Sequence, residues 1–462
     1  MPHELDKILI SYEHPDFESK LSKLRFAVVH AARFRIDSEE NEQLRDIVKE
    51  VMKRGDKAVA EYTGKFDGVK LTPEQFCISH EELEKAHKEI DKDLLTSIRQ
   101  AIENVKKYQK EIFIGNDKKC FGGTEIKYTP IRRVGVCVPG ASAPLPSTVI
   151  MTVVPAMVAG VKEIAVVSPP RYKGDIHPVT LAVCYELSID KDYQNCQLEV
   201  YRIGGAQAVA ALARGTDRIR KVYKIVGPGN QWVQMAKREA FVHGNQWVQM
   251  AKREVFGLVD IDSVAGPSEV LIIADDKANP AWVAADMLSQ AEHAPGSAIV
   301  FTHSQKLANE VLVELKNQVN KLSRAEETIK CLEDFGGIVL FDDMARIIEC
   351  ANDFASEHLE IQCGDKSREI AEKIDNAGAI FIGDYSPVAV GDYWAGPSHT
   401  LPTGMTAKFF SPLSSNDFIK STSIIEYDKE QLAESAEHII RLAEAEGLDA
   451  HAKSIKIRQQ DL

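Results

Sequence analysis

VGVCVPG (134–140), EIAVVSPP (163–170), LEVYRIGG (198–205) and VYKIVGPG (222–229) divide the stretch 134–229 into four short β-branched runs, each closed by Gly or Pro. Between them lie Ala-rich segments of helical length, one after Ser147, one after Pro178 and one from Ala206. Short apolar strands alternating with helices predict a parallel sheet covered by helices on both faces. A second alternating set follows: EVLIIADD (269–276), a helix over 280–292, AIVFTHS (298–304), a long helix from Gln305, GIVLFDD (337–343), a further helix, and AGAIFIGD (377–384). Two α/β units are therefore expected.

Upstream, from Ser38 to about Lys110, charged residues recur on a helical period with Glu/Lys pairs four apart, which predicts a helical layer. Downstream, KEQLAESAEHIIRLAEAEG (429–447) reads as one amphipathic helix stopped by Gly447, with a short tail containing His451. The predicted fold is α/β, with two Rossmann-like parallel-sheet units, an N-terminal helical layer and a C-terminal helical tail. Its segments are 1–37, 38–136, 137–264, 265–410 and 411–462.

A chain of 462 residues has ample length for a large core. Its 56 Lys+Arg against 69 Asp+Glu give a formal charge of -13 with no basic run, so a nucleic-acid partner is not expected. The polar, acidic start lacks the form of an export signal. The longest apolar stretch, 149–161, is too short for a bilayer and contains Pro155, so it reads as a buried helix. Eight scattered cysteines without a C-x-x-C pair suit reduced thiols, and a cytoplasmic setting is expected.

One feature stands apart. GNQWVQMAKREAFVH (229–243) is followed directly by GNQWVQMAKREVFGL (244–258). Two copies of fifteen residues are too few and too short for a solenoid. One helix and one place on the sheet exist for two copies, and one copy should therefore be partly exposed, with Trp232 or Trp247 in water. The first copy is expected to hold the native place, because it follows the strand 222–229 directly and short connections are the norm in α/β units.

Several residues have the chemistry of a site, though none is specific alone. In DMLSQAEH (286–293), Gln290 and His293 stand three apart near a helix end and so share a face. A lone His on a helix is more often structural than a ligand. In ASEHLEIQ (355–362), Glu357 and His358 are adjacent before a strand-like run, close together but differently aimed, as two proton transfers in one site would require. The bland alternative is a capping Glu beside a structural His. The Gly/Pro-dense run 383–404 places Asp384, Asp392 and His399 on an expected loop at the carboxyl edge of a sheet. The turns VPGASAP, GGAQ and GPGN are not a dinucleotide fingerprint. Read this way, the residues reach a two-unit α/β enzyme with a possible N/O metal site.

Taken in order, VPGASAPLPSTVIM (138–151), IGGAQAVAALARGT (203–216), VGPGN (226–230), AGPSEVLIIAD (265–275), LSQAEH (288–293), EHLEIQ (357–362), GDYWAGPSHTLPT (391–403) and EGLDAH (446–451) resemble the histidinol dehydrogenase family, from about Ile47 to Arg458. The resemblance implies a zinc-containing, NAD-dependent oxidoreductase of histidine biosynthesis that converts L-histidinol to L-histidine in two oxidations. It implies zinc ligands Gln290, His293, Asp392 and His451, the last from the other subunit of a homodimer that exchanges C-terminal tails. Glu357 and His358 match the catalytic pair. Ser268, His399 and Glu446 match positions that contact the amino alcohol, as do the zinc ligands and His358. For NAD, the matching positions are Gln207, Asn230 and Cys137. Cys137 stands where the family often has Tyr and Ala141 where it has Gly, so an aromatic stacking surface is lost. Asn245 repeats Asn230, and Asn230 is preferred because it follows the strand. On these implications 137–264 is the NAD-binding unit, 265–410 carries the zinc and catalytic residues, and 411–462 is the dimerisation tail. Two rivals remain: a dehydrogenase of another polar alcohol, such as a sulfopropanediol, and a zinc-binding homologue without activity.

Overall fold

The structure, a computed structural model, describes all residues except 1–3, 33–38, 118, 141–144, 229–243, 294–295 and 460–462, and side chains are also left aside at 26–32, 39–41 and 244–247. The chain divides into two compact units. One comprises Met1–Ile112 with Ile131–Phe418, the other Phe113–Pro130 with Ile419–Leu462.

The first unit contains two parallel sheets, as the alternating runs predict. One is built from β4 (Arg133–Cys137), β5 (Glu163–Val167), β6 (Gln197–Tyr201), β7 (Lys224–Val226) and β8 (Asp260–Ile261), in the order β6-β5-β4-β7-β8. The other contains β1 (Leu9–Ser11), β9 (Ser268–Ala274), β10 (Gly296–Thr302), β11 (Gly336–Leu340), β12 (His358–Gln362) and β13 (Ala379–Ile382), in the order β1-β11-β10-β9-β12-β13. Central strands such as β4, β10 and β12 are buried along their whole length. That follows from helices on both faces, and it explains runs that are continuously apolar instead of alternating. The strand β1 was not expected: the N-terminal segment 1–37 joins the second sheet by pairing with β11.

The link from one sheet to the other decides where a site can form. Only residues 262–267 join the carboxyl end of β8 to the amino end of β9. At about 3.5 Å per residue they reach roughly 20–25 Å. The carboxyl edge of the first sheet is thus tied close to the amino edge of the second. Helices that follow parallel strands run back antiparallel to them, so helix N-termini collect at the first edge and helix C-termini at the second. The Pro280–Ala291 helix shows this. It starts with Pro280 behind Asn279, whose side chain accepts from the Ala281 N–H at 2.9 Å. It ends beside the start of β10 with Gln290 and, just beyond, His293.

The duplicated segment corrects an expectation. The second copy forms the Gly244–Val255 helix, with Val248, Met250, Ala251 and Val255 buried in the core that also contains Leu44, Val48, Val209 and Leu212. Lys252, fully buried, donates to the Asp262 carboxylate and to the Gly227 carbonyl at 3.3 Å. The core place therefore belongs to 244–255 and not to the first copy. What differs between the copies accounts for this: Val255 and Gly257 lead into β8, where the first copy has Ala240 and Val242, and Gly257 adopts φ +97. Trp232, Asn230 and the side chain of Trp247 lie outside the described residues.

In the second unit an antiparallel sheet orders β14 (Ile419–Ile425), β3 (Thr124–Pro130) and β2 (Lys119–Phe121). These strands escaped the sequence reading, which ended its helical stretch at about Lys110 and took 411–462 as a helical tail. Two helices follow, Lys429–Ala445 and Asp449–Gln459, separated by Gly447 at φ +73. The helix stop is where Gly447 predicts it, but the tail beyond is helical.

Candidate active site

A pocket lies where the two sheet edges of the first unit face each other, with Gly227, Pro228 and Gln249 on the first-sheet side and Ser268, His293, Glu357, His358, Asp392 and His399 on the other. Ser268 and His358 are the first residues of β9 and β12, so the reactive groups of the second sheet stand at its amino edge. This corrects the expected carboxyl-edge location. The short 262–267 link brings that amino edge to the first sheet.

Glu357 and His358 are both buried, and both are fixed by residues at the start of β9. Glu357 Oε2 accepts from Ser268 Oγ at 2.6 Å and from the Glu269 N–H at 2.8 Å. His358 Nδ1 lies 2.9 Å from the Glu269 carbonyl. A carbonyl can only accept, so Nδ1 always carries a proton and Nε2 is the nitrogen that gains or loses the second one. Nε2 is buried, has no hydrogen-bond partner among the described residues, and stands 3.8 Å from Asp392 Oδ1. Burial alone would lower the basicity of this imidazole. The Glu357 and Asp392 carboxylates and the Glu269 carbonyl outweigh burial and push it up to about 9. Burial also raises the Glu357 carboxyl, against the pull of His358.

Asp392 is at the end of a short helix, Val388–Tyr393, within the run expected as a loop. Burial would raise its carboxyl, but His358, His399 and His293 hold it below the ordinary range. Burial lowers both His293 and His399, which favours the neutral imidazole at each. His399 Nε2 reaches Thr148 Oγ1 at 3.4 Å, and the neighbouring Ser398 Oγ donates to the Met151 carbonyl at 2.9 Å, so this loop ties the Pro146–Val158 helix of the first sheet to the site. Gln290 is buried, and its Nε2 has no partner among the described residues. Among those residues no group of three or more His, Cys, Asp or Glu is arranged to hold a metal ion.

The first unit thus gathers Ser268, His293, Glu357, His358, Asp392 and His399 around one pocket. Gln207 is buried at the start of the Gly205–Arg214 helix, its Oε1 without a partner among the described residues. Cys137 is buried at the carboxyl end of β4, its thiol pushed up to about 12 by burial. Asn230 lies outside the described residues. Glu446 and His451 belong to the second unit, where both are exposed. Sequence reasoning missed Glu269, Gln249, Asp262 and Thr403. Glu269 fixes Glu357 and His358 through its own peptide groups, and its carboxyl Oε1 accepts from the Gly404 N–H at 2.7 Å. Thr403 Oγ1 accepts from the Gly266 N–H at 2.5 Å. The peptide groups of Glu269 leave no side-chain signature to find, and Thr403, Asp262 and Gln249 meet their partners only through tertiary packing.

Two parallel sheets with opposed edges, closing on a buried imidazole flanked by two carboxyl groups, define an α/β protein with one titratable polar pocket between its sheets. The histidinol dehydrogenase family description matches residues 32–243 and 239–459, a split that falls on the duplicated segment. The histidinol dehydrogenase of Aquifex aeolicus is 44% identical over 92% of this chain and 94% of its own length. That of Rhodopirellula baltica is 44% identical over 91% of this chain and 86% of its own. The solved structure of histidinol dehydrogenase from Elizabethkingia anophelis superposes with a TM-score of 0.85 at 31% identity, covering 98% of each chain. The chain belongs to the histidinol dehydrogenase family. These relatives do not favour the sulfopropanediol rival.

Proposed function

We propose that the chain oxidises L-histidinol through L-histidinal to L-histidine, completing histidine biosynthesis, with NAD and one zinc ion per subunit, as a cytoplasmic homodimer. The observation that carries this reading is the His358 imidazole, held through Nδ1 so that Nε2 is the atom that exchanges a proton inside a pocket shared with Glu357 and Asp392. No helix among the described residues is long and apolar enough to cross a membrane.

The donor set fits zinc. The buried amide of Gln290, through its oxygen, the imidazole of His293 held neutral by burial and the ionised Asp392 are the forms a borderline metal takes as ligands. Gln290 and His293 also stand at a helix C-terminus, whose partial negative charge favours a cation. His451 of the partner subunit would complete the set. Support for a dimer comes from the second unit itself, which exposes Phe121, Ile425, Leu442 and Ile457 beside a core as small as Ile440, Ala443 and Ala452. When bound, zinc would orient the amine and imidazole of the substrate.

The first-sheet edge fits an anionic dinucleotide. Helix N-termini point there, at Pro146 and Gly205, and Gly227 at φ +100 leaves no room for a Cβ, which would stand 2.3 Å from the Cys137 carbonyl oxygen. Gln207 and Cys137 close the same edge, with Asn230 as the sequence assigns it. When bound, NAD supplies the hydride acceptor.

The protein's own part is proton handling. In the first oxidation His358 Nε2 takes the hydroxyl proton of histidinol as the carbinol C–H is lost as hydride. With Asp392 engaged as a ligand, one of the two carboxylates that hold a proton on His358 would be drawn away, leaving Glu357 as the other and making Nε2 easier to deprotonate. In the second half-reaction Glu357 takes a proton from the water that adds to the aldehyde, and His358 Nε2 returns its proton to the aldehyde oxygen, which leaves Nε2 free again. Its Oε2 is committed to Ser268 and Glu269, which leaves Oε1 for that water. The resulting diol loses its C–H as hydride and a hydroxyl proton to Nε2, giving the acid. Ser268, His399 and Glu446 would contact the substrate. The test is the absorbance of NADH formed with L-histidinol: two NADH per histidinol is the expected result, and none would leave the inactive zinc-binding homologue as the better reading.

A further inference from the structure

Beneath the site, away from any role in the chemistry above, is a second group of buried polar side chains. Glu360 is on β12 between Ile272 of β9 and Phe381 of β13, and only 1% of it is exposed. Its Oε1 accepts from the Val388 N–H at 2.9 Å. Gln362 Nε2 donates both to Glu360 Oε2 at 3.1 Å and to Asp286 Oδ2 at 2.8 Å. The two carboxyl groups are hydrogen-bonded to each other, and no cation is among the groups that act on them. Burial first, then the Asp286 charge, pushes Glu360 up to about 8, so the pair shares a proton near neutrality.

The placement is regular. Asp286 lies four residues before Gln290 on the Pro280–Ala291 helix, one turn away on the same face. Val388 lies four residues before Asp392 on the Val388–Tyr393 helix. Glu360 lies two residues after His358, on the same face of β12. Asp286, Glu360 and the Val388 that Glu360 holds are each one structural period from a residue of the site. Burying carboxyl groups without a cation is expensive, and an apolar side chain would serve a purely structural purpose at lower cost.

We propose that Asp286, Glu360 and Gln362 form a positioning node that holds the helix bearing Gln290, the helix bearing Asp392 and the strand bearing His358 in the register the site needs. This rests on the reading of those three residues as substrate-side groups. The node touches no substrate and acts through the elements it joins.

The experiment compares Glu360→Gln, Glu360→Ala and Asp286→Ala with the wild-type chain, measuring kcat/KM for histidinol, thermal unfolding, and amide hydrogen exchange over 286–293 and 388–393. Glu360→Gln can still accept from Val388 and donate to Asp286, giving up only the bond from Gln362, so it should stay much nearer wild type than Glu360→Ala. Glu360→Ala should lose about tenfold to a hundredfold in kcat/KM, the scale of a small misplacement in a preorganised site, with faster exchange in the two named segments. Should Glu360→Ala fail to fold, Asp286→Ala, at a partly exposed position, carries the same test. A folded alanine variant with wild-type kcat/KM and unchanged exchange overturns the node. Glu360→Gln falling as far as Glu360→Ala overturns it too. If the wild-type chain does not oxidise histidinol, the proposed function fails, and the exchange comparison alone decides the node.

Discussion

His358 and Glu357 share one buried corner, each fixed by a different group at the start of β9, so the tasks proposed for them are separable by mutation. His358→Ala should lower turnover of both oxidations by a factor of about 10² to 10⁴ with the fold and zinc content retained. Glu357→Gln should harm oxidation of added histidinal more than oxidation of histidinol, and equal damage to both would count against its role with water. Glu269 makes a pH prediction. Burial, then the neighbouring Glu357, pushes its carboxyl from 4.5 to about 8. A carboxyl whose folded pKa lies above the unfolded one contributes stability that is fully present below 4.5 and is lost as pH rises through about 8. Glu269→Gln removes that titration, so its melting temperature should vary less with pH across this window than that of the wild type, and parallel curves would be the contrary result. Glu357, His358, Gln290 and His293 were visible in the sequence as reactive types at meaningful spacing. Glu269 was not, because what it offers the site is a peptide N–H and C=O that any residue has. Nor could Asp286 and Glu360 be paired, since their closeness depends on the packing of a helix against a strand far along the chain.

At the scale of elements, strands bounded by Gly or Pro were legible because sheets buried on both faces leave continuous apolar runs. The strands β1, β2, β3 and β14 were not. They are short edge or exposed strands with polar residues, such as Thr422 and Lys127, which carry little of that signal. The duplicated helix shows the same limit, since two nearly identical copies compete and only packing selects between them. Deleting 229–243 joins Pro228 to the copy already seated in the core and should leave stability near the parent's or raise it. Deleting 244–258 seats the first copy instead. That places Ala240 where Val255 is fully buried and Val242 where Gly257 has φ +97. Lost burial and backbone strain together should make this variant about 2–4 kcal/mol less stable than the other deletion, as read by urea unfolding. Equal stability of the two deletions would mean that the helix socket does not distinguish the copies.

Across the whole molecule, the proposed dimer carries the sharpest test. His451 lies on an exposed face of the second unit, so a site needing it can be completed in trans. Mixed chains of inactive His451→Ala and inactive Gln290→Ala should recover part of the activity once subunits exchange, and verified exchange without recovery would sink the shared site. The two-sheet plan was legible in the sequence, but the facing of a carboxyl edge to an amino edge was not, because it depends on the length of the 262–267 link and the direction in which the chain leaves β8. That geometry has a kinetic meaning. On the proposed activity one substrate consumes two nucleotides, and the parts that grip each are separately anchored, the nucleotide on one sheet and the amino alcohol on the other. Spent nucleotide can therefore depart and be replaced while the half-oxidised substrate stays moored. An aldehyde-trapping reagent present during turnover should consequently capture little free histidinal, and the enzyme should behave as a processive one, committing each molecule it admits to the second oxidation.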